Sequence, residues 1–128
     1  MLAGIVAGIV FSIANFVMHG VILGDTYAKY PDVFVQEGGG EAWFLVISIA
    51  IAIAFAYLFR RTRQMWADGA KGGATFGFWL GVAFFFTSFY FPLVIDGMPY
   101  FLAWCWAGVD LIGYTLLGAI LGLFIRRA

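Results

Sequence analysis

The chain is built from long apolar runs separated by short polar interruptions. Residues 2–23, 42–59 and 72–91 contain no Asp, Glu, Lys or Arg, and residues 100–125 contain one, Asp110. Crossing a bilayer core of about 30 Å takes roughly 20 apolar residues in helical form. Each run therefore predicts a membrane-spanning helix. The second run contains a competing pattern, because residues 47–54 alternate Ile-Ser-Ile-Ala-Ile-Ala-Ile-Ala with the period of a strand. An isolated strand leaves its backbone unpaired in lipid, and the neighbouring runs are uniformly apolar, so helix is expected there too. The pattern predicts an all-α polytopic membrane bundle of four transmembrane helices, in one domain covering 1–128.

The charged residues orient the bundle. Arg60, Arg61, Arg63 and Lys71 lie between the second and third runs, Arg126 and Arg127 follow the fourth, and only Lys29 lies elsewhere. Basic residues stay on the cytoplasmic side, which places both termini and the loop 60–71 there. The loops 25–41 and 92–99 are then outer. In the first of these, Tyr27, Tyr30, Val33 and Phe34 recur at helical spacing around Pro31. This predicts a short segment lying along the headgroup boundary. Gly38-Gly39-Gly40 then releases the chain, and Glu41 opens the second helix at its positive end. Pro92 is expected to end the third.

Composition agrees and narrows the possibilities. Of 128 residues, 64% are hydrophobic and 11% charged, and the formal net charge is zero. The mean hydropathy is +0.98 and the pI about 6.5. These values exclude a disordered chain and leave too little polar surface for a soluble domain. No basic field is present to hold a nucleic-acid backbone, so no nucleic-acid partner is expected. A single cysteine, Cys105, cannot form an intramolecular disulfide. A single histidine, His19, excludes a multi-histidine metal centre or a bis-histidine haem within one chain. No metal is expected and the cofactor is left unknown, because a pigment, quinone or haem shared with a second chain stays open. The N-terminus has no basic residue before its apolar run, so that run is expected to be retained rather than cleaved.

Small residues mark the faces that pack. Gly4 and Gly8 fall on one face of the first helix with Ser12, Asn15 and His19; Gly73, Gly77, Gly81 and Ser88 share a stripe of the third; Gly118 and Gly122 mark the fourth. Such seams let helix backbones approach, either within one bundle or between protomers. The second helix shows no seam and is expected to face lipid over much of its surface. The phenylalanines around residues 84–91 either fill the bundle and the interfacial belt or line a site for a small hydrophobic ligand.

Chemistry is sparse. Asp110 lies well inside the fourth run, where a carboxylate costs several kcal/mol and needs a partner. Asn15 and His19 lie in the outer half of the first helix, Ser88 ends the third, and Tyr114 is one turn below Asp110. These five residues are the candidate binding site, a polar pocket in the outer half; the competing reading makes them structural hydrogen bonds between helices. No hydrolase or zinc-protease signature occurs, and Gly38-Gly39-Gly40 lacks the Lys-Ser/Thr of a phosphate loop. No catalytic residue is assigned. The basic loop is expected to meet the anionic lipid surface.

The polar end of the first helix with its aromatic sequel (15–30), the glycine-led start of the third (72–81), and Asp96-Gly97-Met98-Pro99 leading to Gly118-Ala119-Ile120-Leu121-Gly122 resemble small bacterial four-helix integral membrane families of unknown function. The resemblance implies a bacterial inner membrane location and this topology, and it carries no activity. Two functions are expected from the residues. One is binding or passing a small solute, proton or lipid-like molecule at the outer polar site. The other is a non-catalytic interaction module, as a homo-oligomer or as an accessory subunit of a larger membrane complex. A lipid-modifying enzyme is the third and weakest fit. An enclosed polar cavity would favour the first, dry packed helices the second.

Overall fold

A computed structural model of the chain describes residues 1–36 and 40–127. Glu37, Gly38 and Gly39 lie outside the described residues, and with them most of the expected glycine release point. Helix α1 (Leu2–Asn15) runs on as a π-helix, Phe16–Ile22, and is followed by the short α2 (Gly24–Ala28). Helix α3 spans Glu41–Arg61, and a 3-10 turn at Arg63–Met65 leads to α4 (Gly69–Phe85). A second 3-10 turn, Phe86–Tyr90, joins α4 to α5 (Phe91–Val94), and α6 spans Tyr100–Phe124. No strand occurs among the described residues, and the alternating stretch in α3 is helical.

Four helical stretches are long and apolar enough to cross a membrane: Leu2–Ile22, Glu41–Arg61, Gly69–Val94 and Tyr100–Phe124. The third does not stop before Pro92 as expected. Pro92 sits in the first turn of α5, where no intrahelical bond needs its missing N–H. The helix therefore continues past it. Glu41 does lie in the first turn of α3. Two glycines with positive φ make the tight corners: Gly69 (71°) opens α4, and Gly97 (79°) turns the chain into α6.

The glycine seams are used within the chain. A Cβ at Gly73 would strike the Gly118 carbonyl, and one at Gly77 would strike that of Tyr114. From the other side, Gly118 meets the Gly73 carbonyl and Gly122 that of Gly69. The backbones of α4 and α6 thus touch over two turns, and Gly81 extends the seam to Leu111, 3.0 Å from its would-be Cβ. Gly4 and Gly8 do the same for α1 against α3, where their would-be Cβ atoms lie 3.0 Å from Ile53 Cα and 2.6 Å from Ile49 Cα. Helix α3 has a seam after all. Ser48, Ala52 and Ala56, one helical turn apart, are its buried small positions.

One end of the bundle carries both described chain ends and the 62–68 turn, and is called here the basic end. The core lies towards it: Ala7 and Phe11 of α1, Ala52, Phe55 and Phe59 of α3, Phe76 of α4, and Tyr114, Leu117 and Leu121 of α6. Phenylalanines bridge α3 and α4, with Phe59–Phe76 at 5.0 Å and Phe55–Phe76 at 6.2 Å between ring centres. Towards the opposite end, called the far end, the packing loosens. Residues 41–47 of α3 are all exposed, and α1 buries nothing beyond Phe11. The exposed part of α3 fits the expected lipid-facing surface, and its second half keeps one exposed face at Ile53, Tyr57 and Leu58 while burying Ala52, Phe55, Ala56 and Phe59.

Arg63 closes the basic end. Its side chain is almost fully buried, at 4% exposure. Nε donates to the Ile125 carbonyl at the end of α6 (2.7 Å). Nη1 donates to the carbonyls of Trp66 and Ala67 (both 3.1 Å), and Nη2 to Asp68 (3.0 Å). Arg127 reaches the same turn, donating to the Trp66 carbonyl at 2.6 Å. Arg63, part of the basic loop expected to meet the lipid surface, therefore holds the 62–68 turn to the end of α6 together with Arg127. A buried guanidinium is tolerated because four of its five N–H groups are paired.

Candidate functional site

Asp110 lies on the inward stripe of α6. Ala103 and Ala107 above it and Leu117 below are fully buried, and Tyr114, one turn below, nearly so. Asp110 itself is half-buried and makes no hydrogen bond or ion pair among the described residues. The stripe is sealed on both sides of the carboxylate and open at it. Towards this end residues 41–47 of α3 are exposed and α1 buries no residue beyond Phe11. Tyr114 forms the floor. Its ring stacks on Phe11 at 5.3 Å and meets Phe55 at 5.1 Å and Phe84 at 5.3 Å. It belongs to the core more than to the pocket wall proposed from the sequence.

The register between α1 and α6 sets what faces Asp110. The helices run antiparallel. Phe11 fills the space beside Gly113, 2.7 Å from a would-be Cβ. Two turns on, His19 meets Trp106 edge-on at 6.2 Å. Asn15 falls midway between those two contacts on α1, as Asp110 does on α6. The two polar residues thus stand at one level. Asn15 is half-buried and, like Asp110, has no hydrogen-bonding partner among the described residues. It is also the last residue before the π-helix, where the Leu23 N–H bonds back five residues to the Met18 carbonyl (3.0 Å). Long π segments are rare and tend to occur at functional sites.

His19 does not join this pair. Its Nδ1 lies 2.6 Å from the Tyr27 hydroxyl, and the Trp106 indole N–H donates to that same oxygen at 2.7 Å. An indole nitrogen only donates, so the phenolic proton is free to be given to His19 Nδ1, which selects the neutral tautomer protonated at Nε2. Burial, opposed in part by the Trp106 hydrogen bond, pushes Tyr27 up to about 12, and it stays a neutral phenol across physiological pH. Phe34 covers Tyr27 at 4.7 Å and Trp106 at 6.0 Å, and Phe91 packs on Trp106 at 5.2 Å. Gln36 fixes the turn by donating to the Phe34 carbonyl at 2.7 Å. The aromatic segment expected to lie along the headgroups folds back over α6 as a cap one turn above Asp110. Tyr27 and Trp106 are its hydrogen-bonding centre. Their spacing of 79 residues left no local pattern to read.

Ser88 is buried in the second 3-10 turn, at 1% exposure, and no hydrogen bond links it to Asn15, His19 or Asp110 among the described residues. The nearby phenylalanines divide among different surroundings. Phe84 is exposed at the edge of the core with its ring against Tyr114, Phe85 and Phe89 pack on Trp104, and Phe91 is in the cap. They do not line a common ligand site. No cluster of metal-ligating side chains occurs among the described residues. Two hollows lie at the basic end, away from Asp110. Of the five candidates, then, Asn15 and Asp110 share a level above Tyr114, His19 belongs to the cap, and Ser88 stands apart.

Comparison with known protein families, with characterised proteins and with solved structures finds no match for this chain.

Proposed function

We propose that this is a small integral membrane protein, located in a bacterial inner membrane, that binds a small amphiphilic or cationic molecule at the Asn15–Asp110 level. The observation that carries this reading is the half-open carboxylate on an otherwise sealed helix stripe. An unpaired carboxylate within a membrane span is costly and retained for use. Its natural ligand offers a hydrogen-bond donor or positive charge to Asp110 and an apolar body to the cap and the Tyr114 floor, with the Asn15 amide able to donate or accept. The excess of basic residues at one end supports a cytoplasmic position for that end, and with it a crevice in the outer half. Binding fits better than passage. Beneath Tyr114, the buried side chains of Ala7, Ala56, Phe59, Leu117 and Leu121 belong to one core, which favours a site closed from below.

A second reading rests on the exposed far half of α3, where Trp43, Phe44 and Ile47 are each more than half exposed among the described residues. In this reading the protein is an interaction module, and a second copy or another membrane subunit supplies the partner of Asp110.

Native mass spectrometry of protein released from its own membrane in mild detergent separates the two. A small molecule retained by the wild type and lost from Asp110→Asn supports the binding site. Release of a homo-oligomer or heteromeric complex that Asp110→Asn dissociates favours the module. A bare monomer, unchanged in the variant, overturns both.

A further inference from the structure

A second site, independent of Asp110, lies at the basic end. A half-open hollow of about 350 Å³ is formed where α1, the end of α3 and the end of α6 meet. Its volume falls within the range of ligand pockets, roughly 300–1,000 Å³. Its walls are apolar: Ala3, Ile53, Phe124 and Ile125. Its polar rim comes from the last turns of α3. Tyr57 and Arg60 line it, and Arg60 has no hydrogen bond or ion pair among the described residues. Arg61 is braced beside them, with Nε donating to the Tyr57 hydroxyl at 3.2 Å and its guanidinium 5.3 Å from the centre of the Tyr57 ring.

Apolar walls with cations at one rim match one kind of occupant in a membrane. We infer that this hollow is a docking site for an anionic phospholipid, with an acyl chain against Ala3, Ile53 and Phe124 and the phosphate between Arg60 and Arg61. Of the other arginines at this end, exposed Arg126 lines a different hollow, beside Asp68 and Gly122. Arg63 is committed to four internal hydrogen bonds and Arg127 to the 62–68 turn. Arg60 sits at the membrane-water boundary of α3, where a headgroup phosphate lies, and a guanidinium pairs with phosphate through parallel N–H groups. Hollows with basic rims between transmembrane helices on the cytoplasmic side are the usual setting for such headgroups.

The test uses the full chain in vesicles of phosphatidylcholine doped with phosphatidylglycerol, with retained lipid counted by native mass spectrometry after mild extraction. The wild type is expected to retain phosphatidylglycerol in preference to phosphatidylcholine. Arg60→Gln is expected to lower that preference about fivefold, the equivalent of about 1 kcal/mol per basic residue at the surface. Arg60→Lys should keep most of the preference. Ala3→Phe, which fills the hollow, should reduce retention of both lipids while circular dichroism shows the helices intact. Equal retention of the two lipids by the wild type overturns the site, as does an unaltered preference in Arg60→Gln. Displacement of the lipid by soluble glycerol phosphate, with Ala3→Phe behaving as wild type, overturns the docking surface in favour of a bare anion site.

Discussion

At the scale of single residues, Asp110 and Tyr27 show opposite economies. Asp110 is a carboxylate without a hydrogen-bonding partner among the described residues. Tyr27 is a hydroxyl with two, to Trp106 and His19. Replacing Asp110 by Leu removes a group that costs about 3 kcal/mol to place at a helix centre, so stability is expected to rise, by about 1 kcal/mol after the partial exposure is allowed for. Unfolding in mixed micelles would read this as a higher midpoint, together with loss of whatever ligand the wild type retains. A lower midpoint would mean that Asp110 is holding the bundle together. Tyr27→Phe keeps the ring and removes the shared oxygen, leaving the Trp106 N–H without an acceptor; the expected loss is about 1–2 kcal/mol. Indole hydrogen exchange at Trp106 checks it directly and should quicken. The sign of the pH effect follows from the raised value of Tyr27. Its stabilisation is complete below about 10, its unfolded value, and is lost as pH rises towards about 12. The sequence showed Asp110 and Asn15 as the polar positions of apolar helices, and they do share a level. It did not show the partner of His19. That pairing depends on a loop folding back over α6 and on the π-helix, which displaces His19 from the face that α-helical spacing gives it.

At the scale of helices, glycine position decides which contacts exist. Gly77 and Gly108 are both helical, yet a Cβ at Gly77 would strike the Tyr114 carbonyl, whereas nothing lies within 4 Å of one at Gly108. Gly77→Ala is therefore expected to destabilise by about 1–3 kcal/mol, because neither backbone can move aside. Gly108→Ala should be neutral or stabilise by about 0.5–1 kcal/mol through helix propensity. Chemical unfolding of the two variants side by side measures the contrast, and equal effects would refute the seam. The four apolar runs made the spans legible, with ends within a few residues of those observed. The partner of each seam was not legible, because small residues at four-residue spacing fit any facing helix. The seam of α3 was hidden for a related reason: Ser48, Ala52 and Ala56 lie within or beside a stretch whose strand-like alternation masks the spacing. Pro92 misled as a terminator because its cost depends on where it falls in a helix, and the preceding 3-10 turn places it in a first turn.

At the scale of the whole molecule, the bundle is closed at its basic end and open at the far end, and its orientation decides which compartment the Asp110 crevice faces. Six of the seven basic residues lie in the segments at or next to the basic end. Four of these lie in the short connection between α3 and α4 or the turns beside it, the kind of segment in which the positive-inside bias acts most strongly. Arg63 and Arg127 are internally paired in the folded state, but orientation is set during insertion, before those pairs form, so they count with the rest. The basic end is therefore expected in the cytoplasm and the aromatic cap outside. The single native thiol makes this measurable. In a Cys105→Ser background, a cysteine placed at exposed Asp32 should react with a membrane-impermeant maleimide added to intact cells, and one at exposed Gln64 only after permeabilisation. The reverse pattern would turn the crevice towards the cytoplasm, so that its ligand would come from inside the cell. It would also move the Arg60 hollow to the outer leaflet, away from the anionic lipid surface it is inferred to read. One labelling experiment thus tests a premise that both sites share, and it does so without knowing either ligand.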